Sequence, residues 1–448
     1  MPSAPARAAR VPAPVLSSRR PTTGAFYLLA SIVIFFLAGS SAPTPLYAIY
    51  QAAWGFSPLT TTVVFGVYAL AVLAALLTVG SLSDYVGRRP VLLVAIVVQA
   101  AVMLVFATAG GVPTLVVARI IQGLSTGAAV GAVGAGMLDV NKAKGTIANA
   151  VAAPIGTAIG GLGSGLLVQY LPAPVHLVYL VLFVIFVLQA IGVTLMPETS
   201  TPKAGALASL RLTFGLPPAA RWPLLRVAPA LVAAWALAGF YGSLGPTLVR
   251  LVVGSDAFVL GGLALFVLAG SGAVTVLLLR TTPPRTVMVL GAVALIVGVG
   301  LTLLAITHTA TAAFFIGTAV AGVGFGGGFQ GAIRTVLPLA APHERAGVLS
   351  IIYLVSYLAL GLPAVIAGFL VVHGGGVLPT AREYGVAVMV LAALVLLGLT
   401  GRRQERTPAP QAGTSLPAAA TPRADTALSR PPNATATPSK GRYYHAHD

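Results

Sequence analysis

An all-α membrane protein of twelve spanning helices is the fold this sequence predicts, on three observations. Hydrophobic residues make up 57% of the 448-residue chain and charged residues only 8%, against roughly 25% charged in a soluble domain. Such a surface needs lipid as its solvent. The apolar residues are gathered into runs of about 20, the length a helix needs to cross the hydrocarbon of a bilayer, and polar residues, glycines and prolines separate those runs.

In chain order the runs lie near 25–48, 59–80, 91–109, 114–138, 146–169, 176–196, 226–249, 258–279, 286–307, 311–334, 347–371 and 384–401. The first follows a basic, proline-bearing segment, residues 1–24, and no small-residue cleavage site clearly ends it, so it reads as a retained helix. Six runs fill 25–196 and six fill 226–401, joined by the longest internal loop, 197–225. Residues 402–448 are rich in Pro, Ala, Thr and Ser with no sustained apolar period and read as a disordered tail. Lysine and arginine concentrate in alternate loops: Arg88 and Arg89, Lys142 and Lys144, Lys203, Arg211 and Arg221, Arg280 and Arg285, then Arg345. The other loops hold essentially Arg250 and Arg382. That asymmetry predicts a plasma or inner membrane protein with both termini, and the sequon at Asn433, in the cytoplasm.

The formal charge of +17 is dispersed between apolar runs and in the termini, not laid along one face with aromatics, which argues against a nucleic-acid partner. The absence of cysteine excludes disulfides, thiolate metal sites and cysteine nucleophiles. The histidines have no metal-ligand spacing, no Gly-x-x-x-x-Gly-Lys-Ser/Thr loop occurs, and no nucleophile, base and orienter share a loop. The sequence therefore predicts neither a resident cofactor, nor a metal site, nor an enzyme.

Between the second and third runs, Gly80-Ser81-Leu82-Ser83-Asp84-Tyr85-Val86-Gly87-Arg88-Arg89-Pro90 places an acid, two glycines and two arginines in one turn. This turn resembles the signature loop of the major facilitator superfamily, G-x-L-x-D-x-x-G-R-[RK], and meets every defining position. Gly80 and Gly87 permit close helix approach and an unusual backbone angle. Asp84 is placed to receive a helix N-terminus and a nearby arginine, Arg88 and Arg89 to meet lipid headgroups and carboxylates. Met196-Pro197-Glu198-Thr199 is similar to the exit of the sixth helix in the same superfamily. The resemblance implies two parallel six-helix bundles around a cavity near the midplane, with the Gly80–Arg89 motif holding the cytoplasmic side closed in the outward-open state.

Arg119 is the one charge deep in a span, about two turns inside the fourth run. At that depth an arginine costs at least about 2.5 kcal/mol on insertion scales, so it needs a cavity or a partner. Arg119, Gln122 and Gly123 together resemble the superfamily's fourth-helix motif, whose arginine has been associated with proton transfer. The alternatives are snorkelling outward or bracing the first helix through its carbonyls. In the fifth run, Pro154, Gly156, Gly160, Gly161, Gly163 and Gly165 predict close helix packing. They resemble the glycine and proline motif of the drug/proton antiporter branch, except that the contiguous Gly-Pro is missing.

Ser40, Ser41, Pro43, Thr44, Pro45 and Tyr47 interrupt the outer half of the first run. Tyr241, Gly242, Ser243, Gly245, Pro246 and Thr247 interrupt the seventh in the corresponding place. Prolines there free backbone carbonyls that need other partners, and paired interruptions point to an extracellular gate and the adjoining cavity. Tyr68, Gln99, Trp235, Gln330, Tyr353, Ser356 and Tyr357 are further candidates for lining it, with interhelical hydrogen bonding the alternative for each. All nine Asp and Glu lie at helix ends, in loops or in the tail, so the acid that many proton-coupled exporters carry in helix 1 is missing. Coupling through Arg119 and water, coupling through Asp139, and no coupling all remain open.

The resulting expectation is a monomeric secondary transporter that exports small neutral or amphipathic organic compounds, with protons as the candidate coupling ion. Uptake of a sugar or other neutral metabolite, and a non-transporting sensor or scaffold, are the alternatives. The topology has a direct check in this cysteine-free chain. A Val112→Cys substitution should react with an impermeant thiol reagent only from outside the cell, and reaction only from the cytoplasmic side would reverse the assignment.

Overall fold

The structure, a computed structural model, describes residues 23–210 and 215–400; the segment before residue 23, Arg211, and the tail with its Asn433 sequon lie outside the described residues. Twelve helices are long and apolar enough to cross a membrane, and among the described residues there is no strand. They are α1 (Thr23–Trp54), α2 (Pro58–Thr78), α3 (Arg88–Ala107), α4 (Val112–Val140), α5 (Lys142–Tyr170), α6 (Pro174–Leu195), α7 (Pro218–Ser243), α8 (Phe258–Leu278), α9 (Pro284–His308), α10 (Thr311–Leu339), α11 (Arg345–His373) and α12 (Val377–Leu399). Most ends fall within a few residues of the predicted runs. The clearest differences are α7, which begins at Pro218 inside the predicted loop, and α12, which begins at Val377. Pro223, Pro229, Arg221 and Arg226 break the apolar pattern of α7 without ending its helix.

Two apolar cores follow the two halves of the chain. Leu29, Phe36, Met103, Phe106, Tyr179 and Phe186 belong to the first, and Leu231, Leu265, Met288, Leu295, Phe314 and Val348 to the second. Lipid tails are as apolar as these side chains, so close packing of small residues has to hold the helices together. The glycine run 322–328 serves that purpose in α10: a Cβ on Gly326 would lie 2.3 Å from the Gly272 carbonyl of α8, and one on Gly324 would lie 2.5 Å from Leu295 of α9.

α5 presents small residues on two faces. Gly156 and Gly160 lie against α1, where their Cβ atoms would come 2.3 Å from the Ile34 carbonyl and 2.2 Å from the Ala38 carbonyl. Gly161 and Gly165 turn instead to α8 of the other bundle, and a Cβ on Gly262 would lie 2.2 Å from the Gly161 carbonyl. α2 meets α11 in the same manner, through Gly66 with Gly361 and Val365, and Thr62 with Gly368. Among the described residues these close approaches between the bundles all fall toward one end, the end opposite the Gly80–Pro90 turn.

Gly160→Ala should therefore expel α1 and lower thermal stability by roughly 1–3 kcal/mol, as overpacking does. Gly163, which has nothing within 4 Å of its Cβ position, should accept alanine without loss. Thermal unfolding of the two purified variants in detergent checks the contrast, and equal effects would refute the packing assignment.

Candidate functional site

The site begins at the break in α1. An α-helical carbonyl takes its hydrogen from the amide four residues on, and proline has none. Pro43 therefore leaves the Gly39 carbonyl free, and the chain turns at Ala42 between Thr23–Ser41 and Pro43–Trp54. Gln122 of α4 fills the gap: its Nε2 donates to the Gly39 oxygen at 3.1 Å. Ser164 of α5 donates to the Ala42 carbonyl at 2.6 Å.

Arg119 completes this brace and is fully buried. Its Nη1 donates to the Ser40 carbonyl at 2.8 Å and to Gln122 Oε1 at 2.7 Å. Nη2 and Nε donate to the Tyr47 hydroxyl at 2.6 and 3.2 Å. The guanidinium lies 5.1 Å from the centre of the Tyr68 ring, 5.7 Å from that of Tyr47 and 5.9 Å from that of Phe106, within cation–π range. Every one of these partners is neutral. Among the described residues the salt bridges are those of Arg88. Arg119 therefore braces the first helix and does not snorkel, and Gln122 orients it. Gly123 turns elsewhere: its Cβ would come 2.6 Å from Ala71 of α2, so it is a packing residue.

The corresponding break in α7 falls at Leu244, before the short helix Gly245–Val253. Here Pro246 leaves the Gly242 carbonyl free, and the Oγ1 of Thr44, from the first bundle, donates to it at 2.9 Å.

Toward the other end the Gly80–Arg89 turn forms a polar cluster. Arg88 is buried, pairs with Asp84, donates through Nε to Asp139 at 3.2 Å and through Nη1 to Ser83 at 2.8 Å. The N-terminus of α3 is taken by Glu198, whose oxygens accept the amides of Arg88 and Arg89 at 2.8 and 3.0 Å. Of the two partners the sequence offers Asp84, it takes the arginine, while the helix N-terminus goes to Glu198. Gly87 has φ 101°, and a Cβ there would lie 2.7 Å from Glu198 Oε2. Both facts require glycine. Arg89 donates to the Thr194 carbonyl. Gly80 receives α4, since a Cβ on Gly131 would lie 2.8 Å from its carbonyl.

The predicted cavity residues divide. Trp235 of α7 and Tyr357 of α11, both half-buried, pack with ring centroids 5.1 Å apart, and Phe329 of α10 lies edge-on to Trp235 at 5.3 Å. Tyr353, also half-buried, precedes Tyr357 by one helical turn, and Tyr68 lies on α2, which packs along α11. The indole N–H of Trp235 and the hydroxyl of the buried Ser356 have no partner among the described residues. Ser40 contributes its carbonyl to Arg119 and its hydroxyl to the Leu37 carbonyl. Tyr241 and Gln330 belong to the interior of the second bundle instead: Tyr241 bonds Thr318 at 2.8 Å, and Gln330 Nε2 donates to the Val276 carbonyl at 3.0 Å. Gln99 accepts from Ser125 inside the first bundle. Arg334 donates to the Leu279 and Thr282 carbonyls at the end of α8.

Two contributors stood out weakly in the sequence. Glu198 carried the resemblance of Met196-Pro197-Glu198-Thr199 to a sixth-helix exit but nothing that tied it to the Arg88 turn, and Tyr47 only the signal of a polar ring within the interrupted stretch.

The family model described as Major Facilitator Superfamily matches residues 28–309, more than half of the chain. No curated protein matches it at a significant level. Among solved structures, a variant of the nucleoside transporter NupG superposes with a TM-score of 0.66 at 14% identity, covering 83% of this chain and 99% of that one. A bacterial homologue of the human lysosomal transporter Spinster, in an inward-facing and occupied conformation, superposes with a TM-score of 0.65 at 12% identity, covering 83% and 96%. At such identities the likeness is one of fold.

The geometry around Arg119 yields a graded expectation. Arg119→Leu leaves the Ser40 carbonyl and the Gln122 amide oxygen without their donor, at roughly 1–3 kcal/mol for each unsatisfied group, and should lower stability and abolish flux. Arg119→Lys keeps the charge but loses the planar fork and should retain part of the flux. Parent flux and parent pH dependence in a folded Arg119→Leu protein would show the arginine to be dispensable.

Proposed function

Because the chain belongs to the Major Facilitator Superfamily, we propose that it is a secondary transporter that exports small neutral or amphipathic organic compounds by alternating access. The basic loops lie in the cytoplasm in this reading, together with both termini, and the membrane is the plasma or inner membrane. The bundles meet at the far end and the arrangement is inward-open. Trp235, Tyr353 and Tyr357 then form part of the wall a compound meets from the cytoplasm, while Tyr68 is buried against Arg119. The Asp84, Arg88 and Arg89 cluster closes that side in the other half of the cycle. Protons are the candidate counter-ion, with Arg119 and Asp139 the groups to examine.

The observation that carries the cargo class is electrostatic. The described Asp and Glu residues lie in loops or near helix ends, while among the described residues the one fully buried charge is Arg119, with neutral partners. At an effective dielectric of ~20, a cation about 10 Å from Arg119 is repelled by about 1.7 kcal/mol, more than tenfold in affinity. Neutral compounds, and amphipathic ones without a positive charge, escape that penalty. Uptake of a neutral metabolite is the second reading, supported by the fold likeness to a protein named for nucleosides.

Inside-out vesicles carrying the purified protein decide between them. Export predicts accumulation of neutral aromatic compounds in the lumen, stimulated when the lumen is acidified, and at least tenfold slower movement of matched quaternary ammonium analogues. Faster movement of the cations would overturn the cargo class, and net loss of a preloaded compound against its gradient would overturn the direction.

A further inference from the structure

The two broken helices satisfy their free carbonyls differently. In α1, the Gly39 carbonyl is served by Gln122, and Arg119 donates to the neighbouring Ser40 carbonyl; both donors are on α4 of the same bundle. These donors stay in place however the bundles move. In α7, Gly242 is served by Thr44 across the boundary between the bundles, in a buried bond of 2.9 Å. That donor leaves when the bundles part.

Two contacts seal the second bond. Gly242 lies under the ring of Phe65 from α2, so close that a Cβ would meet Phe65 Cε2 at 2.7 Å. Pro246 rests on Gly261 of α8, where a Cβ would lie 2.7 Å from the proline Cβ. Phe65 and Thr44 both belong to the first bundle, so the side chain that supplies the hydrogen and the ring that covers the carbonyl depart together. Opening this end then exposes a carbonyl with no helical donor, and water must take Thr44's place.

We infer that Thr44 is a positioning residue for alternating access: its hydroxyl completes the α7 break only while the far end is closed. The break in α1 stays fixed, and the segment Gly245–Val253 is the part whose hydrogen bonding changes with state. This inference rests on the alternating-access reading but not on the direction of transport or the cargo.

A cysteine reporter tests it without any transported compound. Val365 of α11 lies at the α2–α11 contact, where its Cγ2 would be 2.9 Å from a Cβ on Gly66, so Val365→Cys should react slowly with an impermeant maleimide added from the far side. Thr44→Val keeps the shape and removes the donor, and should raise that rate about fivefold, the worth of one neutral hydrogen bond. Thr44→Ser should leave it at the parent rate. Pro246→Ala returns an amide to Gly242, so in that background Thr44→Val should change the rate less than twofold, a coupling that a general packing defect would not produce.

An unchanged rate in Thr44→Val, the same increase in Thr44→Ser, or equal increases in both proline backgrounds would overturn the assignment. If position 365 never reacts from the far side in any variant, alternating access itself fails, a different result from a reactive parent indifferent to Thr44. Thermal unfolding of each variant separates a misfolded protein from an opened one.

Discussion

Hydrocarbon offers no water to a backbone carbonyl that has lost its helical donor, and this chain places prolines 43 and 246 where two such carbonyls result. Much of the arrangement around them answers that constraint. α4 must carry Gln122 at the height of Gly39 and Arg119 at the height of Ser40. α5 must be glycine at positions 156 and 160, because a larger residue would push α1 away from the donors it needs. Thr44 must stand opposite Gly242. An arginine that would be costly in lipid is tolerable here because carbonyl, hydroxyl, amide and aromatic groups surround it.

The opposite end solves a different problem with different chemistry. Water reaches the Gly80–Pro90 turn, and Asp84 and Asp139 keep 49% and 34% of their side-chain surface exposed. Arg88 itself is buried, so its pairs with these two partly exposed acids fall between surface pairs, which contribute about 0–1 kcal/mol each, and desolvated ones, and solvent reaches them from the acid side. Glu198 is stronger because an ionised carboxylate accepts several amides at a helix N-terminus, where charge and dipole agree. It ties the exit of α6 to the start of α3 within one bundle, so the cluster can change partners across the boundary while that join holds.

The spans were legible because each buried helix in lipid is a continuous apolar run. The early start of α7 was not, since Arg221, Pro223, Arg226 and Pro229 look like loop residues and yet lie in one helix. The signature turn was legible as a pattern; its tie to Glu198, more than a hundred positions away, was not. Polar residues in apolar spans were legible as a set, but not their destinations. Tyr241 meets Thr318 and Gln330 meets a carbonyl of α8, while Trp235 and Tyr357 pair at a half-buried surface. One sequence cannot separate an interhelical partner from a cargo when both satisfy the same donor. Gly160 and Gly161 show the limit well, because neighbouring positions on a helix point about 100° apart. The first belongs to the interior of a bundle and the second to the boundary between bundles.

The size of the Thr44–Gly242 bond suits its position. A transporter must visit two states within a few kcal/mol of each other, since a population ratio of 99 to 1 already corresponds to about 2.7 kcal/mol and each further tenfold adds 1.4 kcal/mol. A desolvated ion pair at the far end would set a Coulombic gain against a desolvation penalty of several kcal/mol per ion, a balance that small changes in geometry swing either way. A single neutral hydrogen bond contributes about 1 kcal/mol, enough to bias the equilibrium and weak enough for hydration to replace. The charged groups are confined accordingly: Arg119 acts within one bundle, where its partners do not change, and the Arg88 cluster sits where water can exchange with it. Across the sealed boundary the described residues use glycine contacts and neutral hydrogen bonds, the Thr44 hydroxyl to Gly242 and the Phe258 amide to Gln169.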